Sequence, residues 1–336
     1  MKPKVLVTHG ETARNNYYGA TALAALHAIS DVRLNPEDSA LTGPALVEAA
    51  RGCQVIISDR QAAGPAALFD ALPELAVFQR CAVDVRNIDL AAASAAGVLV
   101  TQASAGFGNA VAEWIVGAML GLSRDIADSV HAYRSGATPE IRMGRELRGS
   151  TLGVIGHGVI GQRVAEIGHL LGMRVLVADP FAAPAHPELA LLPLDQLLAQ
   201  ADFVVCLAPA NPQTENLMNA AQFGAMRPGA YFVNASRGEL VDEAALLQAL
   251  DSGHIAGAAL DVGRAPDQMP SPALARHPRV IATPHTAGLT PPAVEHQSRE
   301  TVAQLAQLLA GRMPAGALNT QQARRLHVFF PPEVSA

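Results

Sequence analysis

The stretch STLGVIGHGVIG, residues 150–161, decides which fold this chain can adopt. Residues 152–155 form an apolar run typical of a buried strand, and the glycines that follow have the spacing GxGxxG. Glycines so spaced allow a tight turn from a strand into a helix, with the helix N-terminus open to a pyrophosphate. The motif therefore predicts a strand, a turn and a helix of the dinucleotide-binding type.

Strands and helices alternate along the whole chain. In the second half, further buried strands are predicted at MRVLVADP, DFVVCLAP, AYFVNASRG, IAGAALDV and RVIATPH, giving a six-stranded dinucleotide-type arrangement. In the first half, strands are predicted at KVLVTHG, CQVIISD, LAVFQRC and GVLVTQA, followed by a long helix from Asn109 to about Tyr133. Because 336 residues with 50% hydrophobic content can bury two cores, we predict an α/β chain of two domains with mostly parallel sheets.

The overall composition disfavours several classes of function. The net charge of −6 is scattered, without a basic block that could follow a phosphate backbone, so nucleic acid is not an expected partner. The chain has neither an uncharged apolar run of membrane-spanning length nor a signal peptide at its N-terminus, which predicts no membrane partner. Its three cysteines are widely spaced and odd in number, as expected in a reducing cytoplasm without a thiolate metal site. A small-molecule substrate is the remaining expectation.

The residue that ends the strand after the glycine motif indicates the cofactor. Asp179 closes MRVLVADP, where a carboxylate can accept hydrogen bonds from both ribose hydroxyls of NAD. The same carboxylate would repel the phosphate of NADP, and the following PFAAP offers no arginine to hold that phosphate. In the alternative interpretation, the glycines only form a tight strand-to-helix turn and Asp179 is a solvated residue at the end of a strand. We predict NAD as the cofactor.

Longer segments carry a family resemblance. They are ELRGSTLGVIGHGVIGQRVA, LAPANPQTENLMN, MRPGAYFVNASRGELVDEAAL, GAALDV and TPHTAGLT, with looser matches at NIDLAAASAAGVLV and AVAE. In these segments the chain resembles the D-isomer-specific 2-hydroxyacid dehydrogenases. The resemblance implies two Rossmann- or flavodoxin-like, doubly wound domains with a cleft between them. It assigns residues 1–103 and 286–336 to a flavodoxin-like substrate-binding domain and residues 104–285 to an NAD-binding domain, and it implies a homodimer built through the NAD-binding domain.

Two residues are implied to act directly on a 2-hydroxy or 2-keto acid. Arg237, in NASRGELVDE, stands where the family has an arginine that holds the substrate carboxylate and polarises the adjacent carbonyl oxygen. His285, in ATPHTAGLT, stands where the family has its acid/base histidine. The alternative for Arg237 is a structural pairing with a nearby carboxylate, and for an arbitrary histidine a structural role would be the better interpretation.

The resemblance also implies contacts with the cofactor. Asp261, after GAAL, resembles the residue that accepts a hydrogen bond from the nicotinamide carboxamide, and the less favoured alternative is a turn aspartate at a strand end. The full set of implied cofactor-binding residues is Gly156, Gly158, Val159, Ile160, Gly161, Asp179, Pro209, Thr214, Ala235, Ser236, Asp261, His285 and Gly288.

The chain departs from the family at the partner of the histidine. The family has a carboxylate five residues after the aspartate of LDV, but that position is Pro266 here. Asp267 follows one position later, and we predict that its carboxylate supports His285 and raises the imidazole pKa above about 6.5. Gln268 is a second candidate, because formate dehydrogenases of the same superfamily use a glutamine. In the third alternative neither residue reaches the histidine.

A second departure lies in QRCAVDVRNIDL. The family has a GxG turn here whose backbone N–H groups bind the substrate carboxylate, and Ala82, Val83, Asp84 and Arg86 occupy that region in this chain. Asp84 would repel an anion if it pointed inward, whereas Arg86 could restore positive charge or lie at the surface.

These departures leave two further functions open. The chain could be a non-catalytic NAD-sensing or corepressor-like protein, or a dehydrogenase for a phosphite- or formate-type substrate. Retention of Arg237 and His285 favours an NAD-dependent D-2-hydroxyacid dehydrogenase.

Overall fold

A computed structural model describes residues 2–182 and 190–329, and the chain divides into two units. The first unit comprises residues 1–107 and 289–336, and the second comprises residues 108–288. Within the described residues, no helix is both long enough and apolar enough to cross a membrane. The expectation of two α/β domains with parallel sheets is confirmed.

Five short strands form the parallel sheet of the first unit. They are β1 (Lys4–Val7), β2 (Asp31–Leu34), β3 (Val55–Ser58), β4 (Val77–Arg80) and β5 (Leu99–Gln102). Their order in the sheet is β2-β1-β3-β4-β5. The connecting helices are α1 (Glu11–Tyr17), α2 (Ala20–Ile29), α3 (Gly43–Ala50), α4 (Ala66–Ala71) and α5 (Leu90–Ala96). Parallel strands need such crossovers because each strand must start again at the same end of the sheet.

The second unit has a seven-stranded sheet in the order β12-β11-β10-β9-β6-β7-β8. Its strands are β6 (Thr151–Ile155), β7 (Arg174–Ala178), β8 (Ala190–Leu191), β9 (Phe203–Cys206), β10 (Ala230–Asn234), β11 (Ile255–Leu260) and β12 (Val280–Ala282). Its helices are α6 (Gly108–Ser123), α7 (Ile126–Arg134), α8 (Val159–Leu170), α9 (Leu194–Leu198), α10 (Ala220–Ala225), α11 (Glu243–Asp251) and α12 (Pro272–Ala275). The chain then returns to the first unit as α13 (Pro291–Leu309).

Both faces of the first sheet are covered, as a parallel sheet requires. On one face Ile56 and Phe78 pack in a core with residues of α3, α4 and α5. On the other face Val7 packs with Leu26 of α2 and Leu305 of α13. The returning helix α13 therefore completes the core of the unit from which the chain started.

The strands and helices differ from the sequence predictions in two respects. The predicted helix from Asn109 to Tyr133 is two helices, because Asp125 adopts a left-handed conformation with φ 53° that interrupts the helical hydrogen bonds. Two strands were missed, β2 and the two-residue β8. The sequence DVRL of β2 alternates exposed with half-buried residues at a sheet edge, so it lacks the apolar run by which the other strands were recognised.

Candidate active site

The glycine turn joins β6 to α8 in the second unit. Gly156 has φ +92°, and a Cβ there would lie 2.7 Å from the backbone nitrogen of Ala208, so only glycine fits. A Cβ on Gly161 would lie 2.1 Å from the carbonyl oxygen of Gly156, which shows how closely the helix packs on the turn. A Cβ on Gly158, by contrast, would meet no protein atom within 4 Å. The three glycines thus provide a tight turn, close helix packing and an open approach to the helix N-terminus.

This turn fits the pyrophosphate of a dinucleotide. Helix α8 begins at Val159 with Gly158 as its N-cap, and no side chain caps its first backbone N–H groups. Val159 is exposed and Ile160 is half-buried, so the first turn is accessible from outside the unit. Donors of this kind, together with the helix dipole, favour a phosphate group.

Asp179 lies beside the glycine turn, one residue beyond the end of β7. Its carboxylate accepts hydrogen bonds from the backbone N–H groups of His157 (2.7 Å) and Phe181 (2.8 Å). Partial desolvation raises the pKa of Asp179, but these hydrogen bonds outweigh it, so its pKa lies below the ordinary value. An ionised acceptor therefore stands next to the glycine turn at neutral pH.

The other implied cofactor residues lie on loops at the carboxyl ends of neighbouring strands. The hydroxyl of Thr214 donates to the carbonyl of Pro209 at 2.7 Å and closes the loop after β9. Ala235 and Ser236 follow β10, and the Ser236 hydroxyl donates to the carbonyl of Ala208 at 2.8 Å. The Ser236 bond joins the loop after β9 to the loop after β10, at the edge where open α/β sheets bind ligands.

Arg237 is positioned by a turn at the end of β10. The buried Asn234 donates from its side chain to the carbonyl of Arg237 (2.9 Å) and accepts from the backbone N–H of Ser236 (3.1 Å). The Arg237 guanidinium donates to the carbonyl of Ser236 at 2.7 Å. Asn234 was missed in the sequence analysis, although an asparagine that ends a strand is a common organiser of turns.

Asp261 follows β11 and holds the segment that contains His285. The side chain is almost fully buried. One carboxylate oxygen accepts from the Thr283 hydroxyl (2.6 Å) and the Thr286 N–H (2.8 Å), and the other accepts from the Ala287 N–H (2.9 Å). These bonds bracket His285 on both sides and fix the loop after β12, which runs to Gly288 at the end of the unit.

His285 lies in this loop with an unusual backbone conformation. Its φ is 56°, in the left-handed region, and its N–H donates to the carbonyls of Asp261 (2.9 Å) and Thr283 (3.0 Å). Its Nδ1 lies 2.9 Å from the main-chain carbonyl oxygen of Asp267. A non-glycine residue rarely adopts this conformation unless the surrounding structure holds it there.

The contact between Asp267 and His285 differs from the predicted one. Asp267 does reach His285, but with its main-chain carbonyl, because its left-handed backbone (φ 56°, ψ 23°) directs this oxygen at the ring. Within the described part of the chain, the Asp267 carboxylate makes no hydrogen bond or ion pair. The neighbouring Gln268 is also left-handed, and its carbonyl accepts from the N–H of Gly263 at 2.8 Å.

In the first unit, the segment CAVDVR, which differs from the family's GxG pattern, forms a turn after β4. The Arg86 guanidinium donates to both carboxylate oxygens of Asp84 at 2.8 to 3.1 Å, and the Arg86 N–H donates to the same carboxylate at 3.0 Å. Ala82 is buried and Val83 is half-buried. The expected repulsion between Asp84 and an anion is thus reduced by an ion pair within the turn itself.

Arg80, the last residue of β4, lies fully buried near this turn and was also missed. It donates to the carbonyl of Ala62 (3.2 Å) and to the side chain of Asn87, while its Nε and Nη1 have no acceptor among the described residues. Burial lowers the pKa of Arg80 to about 10, although Asp59 and Asp84 act in the opposite direction. The first unit therefore keeps a buried positive charge close to the segment predicted to bind an anion.

Sequence comparisons point to one family. A family model described as the NAD-binding domain of D-isomer specific 2-hydroxyacid dehydrogenases matches residues 116–287. A D-3-phosphoglycerate dehydrogenase of Sus scrofa is 34% identical over 290 residues, which are 85% of this chain and 54% of that protein. One from Mycobacterium leprae is 36% identical over 253 residues, 74% of this chain and 48% of that protein. The chain thus spans about half the length of the curated relatives it matches.

Solved structures agree with the sequence comparisons. The TT0316 protein from Thermus thermophilus superposes with a TM-score of 0.83 and 30% identity, covering 94% of this chain and 99% of that chain. The apo-structure of D-lactate dehydrogenase from Escherichia coli gives a TM-score of 0.82 and 27% identity with the same two coverages. Each of these alignments covers 94% of this chain and therefore includes residues of both units.

Proposed function

We propose a function from the premise that the chain belongs to the D-isomer-specific 2-hydroxyacid dehydrogenase family, with NAD as its cofactor. The chain catalyses the reversible oxidation of a 2-hydroxy acid to a 2-keto acid. The observation that carries this proposal is the fixed placement of Arg237 and His285 on the loops after β10 and β12, at the same edge of the sheet that also bears the glycine turn. Relatives named for D-3-phosphoglycerate and D-lactate support a small anionic substrate.

NAD, when bound, supplies the hydride acceptor for oxidation and the hydride donor for reduction. We assign its pyrophosphate to the turn at Gly156, Gly158 and Gly161 and its adenosine ribose to Asp179. The loops at Pro209, Thr214, Ala235 and Ser236 line the rest of its path. Val159 and Ile160 belong to the first turn of α8, beside the pyrophosphate.

Arg237 and His285 act on the substrate. The Arg237 guanidinium binds the carboxylate in a fork and polarises the C2 carbonyl oxygen. In oxidation His285 takes the proton of the C2 hydroxyl, and in reduction it returns that proton to the C2 oxygen. Asp261 holds the His285 loop through its three hydrogen bonds, which leaves less of its carboxylate for a nicotinamide carboxamide.

In the first unit, we assign the substrate carboxylate to the backbone of the turn at Ala82 and Val83. Asp84 and Arg86 neutralise each other there, and the buried Arg80 supplies net positive charge nearby. The buried thiols Cys53, Cys81 and Cys206 suit a cytoplasmic setting, because a reducing compartment keeps them free.

The experiment that tests the dehydrogenase is a survey of 2-keto acids with NADH, followed by its absorbance. Turnover with at least one 2-keto acid supports the proposal. Tight NADH binding without turnover on any of them would point instead to a non-catalytic NAD-sensing protein. Phosphite and formate are included with NAD⁺, because turnover on either one alone would move the chain to that substrate class.

Asp179→Ser is expected to raise kcat/KM with NADPH by about 10- to 100-fold and to lower it with NADH, because the ionised carboxylate repels a ribose phosphate. Steady-state kinetics with both cofactors measure the change. Asp195→Ser, which removes an exposed aspartate from α9, is the control and should leave the ratio unchanged. An unchanged ratio in Asp179→Ser would show that the carboxylate does not face the ribose.

We also propose that a second copy of the chain covers the surface formed by α7 and the segment after it. Helix α7 buries none of its residues, and Ile141 and Met143 are each 100% exposed. Tyr133 is 72% exposed in the same region. Apolar side chains grouped in this way are typical of an interface, and the family resemblance implies a dimer through this unit.

The double variant Ile141→Asp, Met143→Asp is expected to weaken the dimer by at least about 100-fold, because each buried anchor contributes about 2 kcal/mol or more. Light scattering across a dilution series gives the mass. Leu309→Asp, which adds the same charge at an exposed apolar residue of α13, should leave the dimer intact. A wild-type chain that is monomeric at every concentration would contradict the proposal.

A further inference from the structure

The loop of residues 263–270 has a backbone that few sequences adopt. Asp267 and Gln268 are consecutive left-handed residues, with φ 56° and 58°. Two main-chain hydrogen bonds close the loop around them, from Gly263 N–H to Gln268 O (2.8 Å) and from Ala265 N–H to Met269 O (3.0 Å). Such strain persists only where neighbouring contacts enforce it, and it often accompanies function.

This backbone conformation determines which group contacts the ring of His285. The left-handed turn directs the Asp267 carbonyl oxygen at Nδ1 of the ring, 2.9 Å away. A carbonyl oxygen can only accept a hydrogen bond, so Nδ1 must carry a proton, and in the neutral ring Nε2 is then the unprotonated nitrogen. The acid/base atom is therefore selected by the main chain.

The loop is anchored so that this carbonyl stays in place. Arg264, at its start, donates to the side chains of Glu215 (2.8 Å) and Asn216 (2.7 Å) and to the carbonyl of Glu239 (2.9 Å). At its two ends, a Cβ on Gly263 would lie 2.6 Å from the Cα of Pro270, so the backbones touch without an intervening side chain.

The same loop also contacts the turn that carries Arg237. A Cβ on Gly238, the next residue, would lie 2.1 Å from the carbonyl oxygen of Gly263. Movement of the loop would therefore disturb both residues that we assign to the substrate.

We propose that the loop of residues 263–270 positions His285 through the main-chain carbonyl of Asp267, whatever the charge of the side chain at residue 267. Asp267 is then a positioning residue, selected for its tolerance of a left-handed backbone rather than for its carboxylate. Asparagine and glycine share this tolerance, whereas a β-branched residue does not. The inference rests on the proposed dehydrogenase function for its kinetic consequences, but the ring tautomer can be measured without turnover.

The first experiment is ¹⁵N NMR of the histidine rings in the full chain, with the His285 signals identified by their loss in His285→Gln. The expected result is the Nδ1–H tautomer for neutral His285 in the wild type and in Asp267→Asn. An Nε2–H tautomer in the wild type would overturn the proposal, and so would a tautomer change in Asp267→Asn.

The second experiment compares three substitutions in the NADH assay. Asp267→Val is expected to lower kcat by about 100-fold with NADH binding unchanged, because the displaced carbonyl misplaces the ring. Asp267→Asn and Asp267→Gly should recover most of that loss and keep the pH midpoint of kcat/KM within about 0.3 units of the wild type. A midpoint moved toward acid by about one unit in Asp267→Asn would identify the carboxylate as the partner and overturn the inference.

The two experiments separate the proposals. If no 2-keto acid is turned over, the proposed function fails, and the tautomer result alone decides the inference. If turnover occurs but Asp267→Val equals the wild type in kcat, the function stands and the positioning role fails. Thermal unfolding of Asp267→Val, measured alongside, shows whether a low kcat comes from a folded chain.

Discussion

Replacing Arg237 by lysine is expected to lower kcat/KM for a 2-keto acid by about 100- to 1000-fold, with the dissociation constant of NADH unchanged. Lysine keeps the positive charge but loses the planar fork that binds two carboxylate oxygens together. It also places all its donors on one nitrogen, so it cannot hold the carboxylate and polarise the C2 oxygen from two fixed positions. The loss should therefore appear in kcat as well as in the KM for the keto acid.

The structure explains why the backbone should survive this substitution. The Arg237 turn is held by Asn234 through main-chain atoms of residues 236 and 237, and these bonds do not involve the guanidinium. The guanidinium itself donates to the Ser236 carbonyl, a bond that an ammonium group can also make. Thermal unfolding and NADH titration should accordingly resemble those of the wild type.

Arg227→Lys is the matched control, because Arg227 forms an exposed ion pair with Asp202 outside the loops assigned to the substrate. It should leave all kinetic constants within about twofold, as is usual for surface ion pairs. An Arg237→Lys variant with wild-type kcat/KM would remove Arg237 from the reaction and favour a structural role for its side chain.

The features that the sequence predicted well depend on local patterns. The glycine turn needs three residues without side chains at fixed spacing. At Gly156 and Gly161 the backbone leaves no room for a Cβ, and at Gly158 the space is open for a ligand. The central strands of both sheets are buried on two faces, so their sequences are nearly continuous apolar runs. Family membership and the NAD cofactor follow from these same segments.

The features that could not be predicted depend on single backbone angles or on distant residues. The break before α7 rests on the φ of Asp125, and the contact with His285 rests on the φ of Asp267. Counting residues from Asp261 predicted a contact between Asp267 and His285. The count could not show that the main-chain carbonyl, rather than the carboxylate, makes this contact. Arg80 ends a strand as a buried cation, and only the packing of surrounding loops shows that its charge stays inside.

His285→Gln is expected to lower kcat for reduction by about 100- to 10,000-fold, because the variant can neither donate nor accept the proton at the C2 oxygen. Glutamine preserves a polar side chain that can still bond to the Asp267 carbonyl, so the loop of residues 263–270 should keep its conformation.

The pH profile distinguishes loss of the proton donor from loss of structure. In reduction the wild type should lose activity as pH rises, because only the imidazolium form of the acid/base residue can donate a proton. That limb should be absent in His285→Gln, whose residual activity should be independent of pH over this range. His27→Gln, at an exposed histidine of α2, should keep both the rate and the limb. If the limb persists in His285→Gln, another group titrates in the reaction, and Asp267 then has no acid/base residue to position.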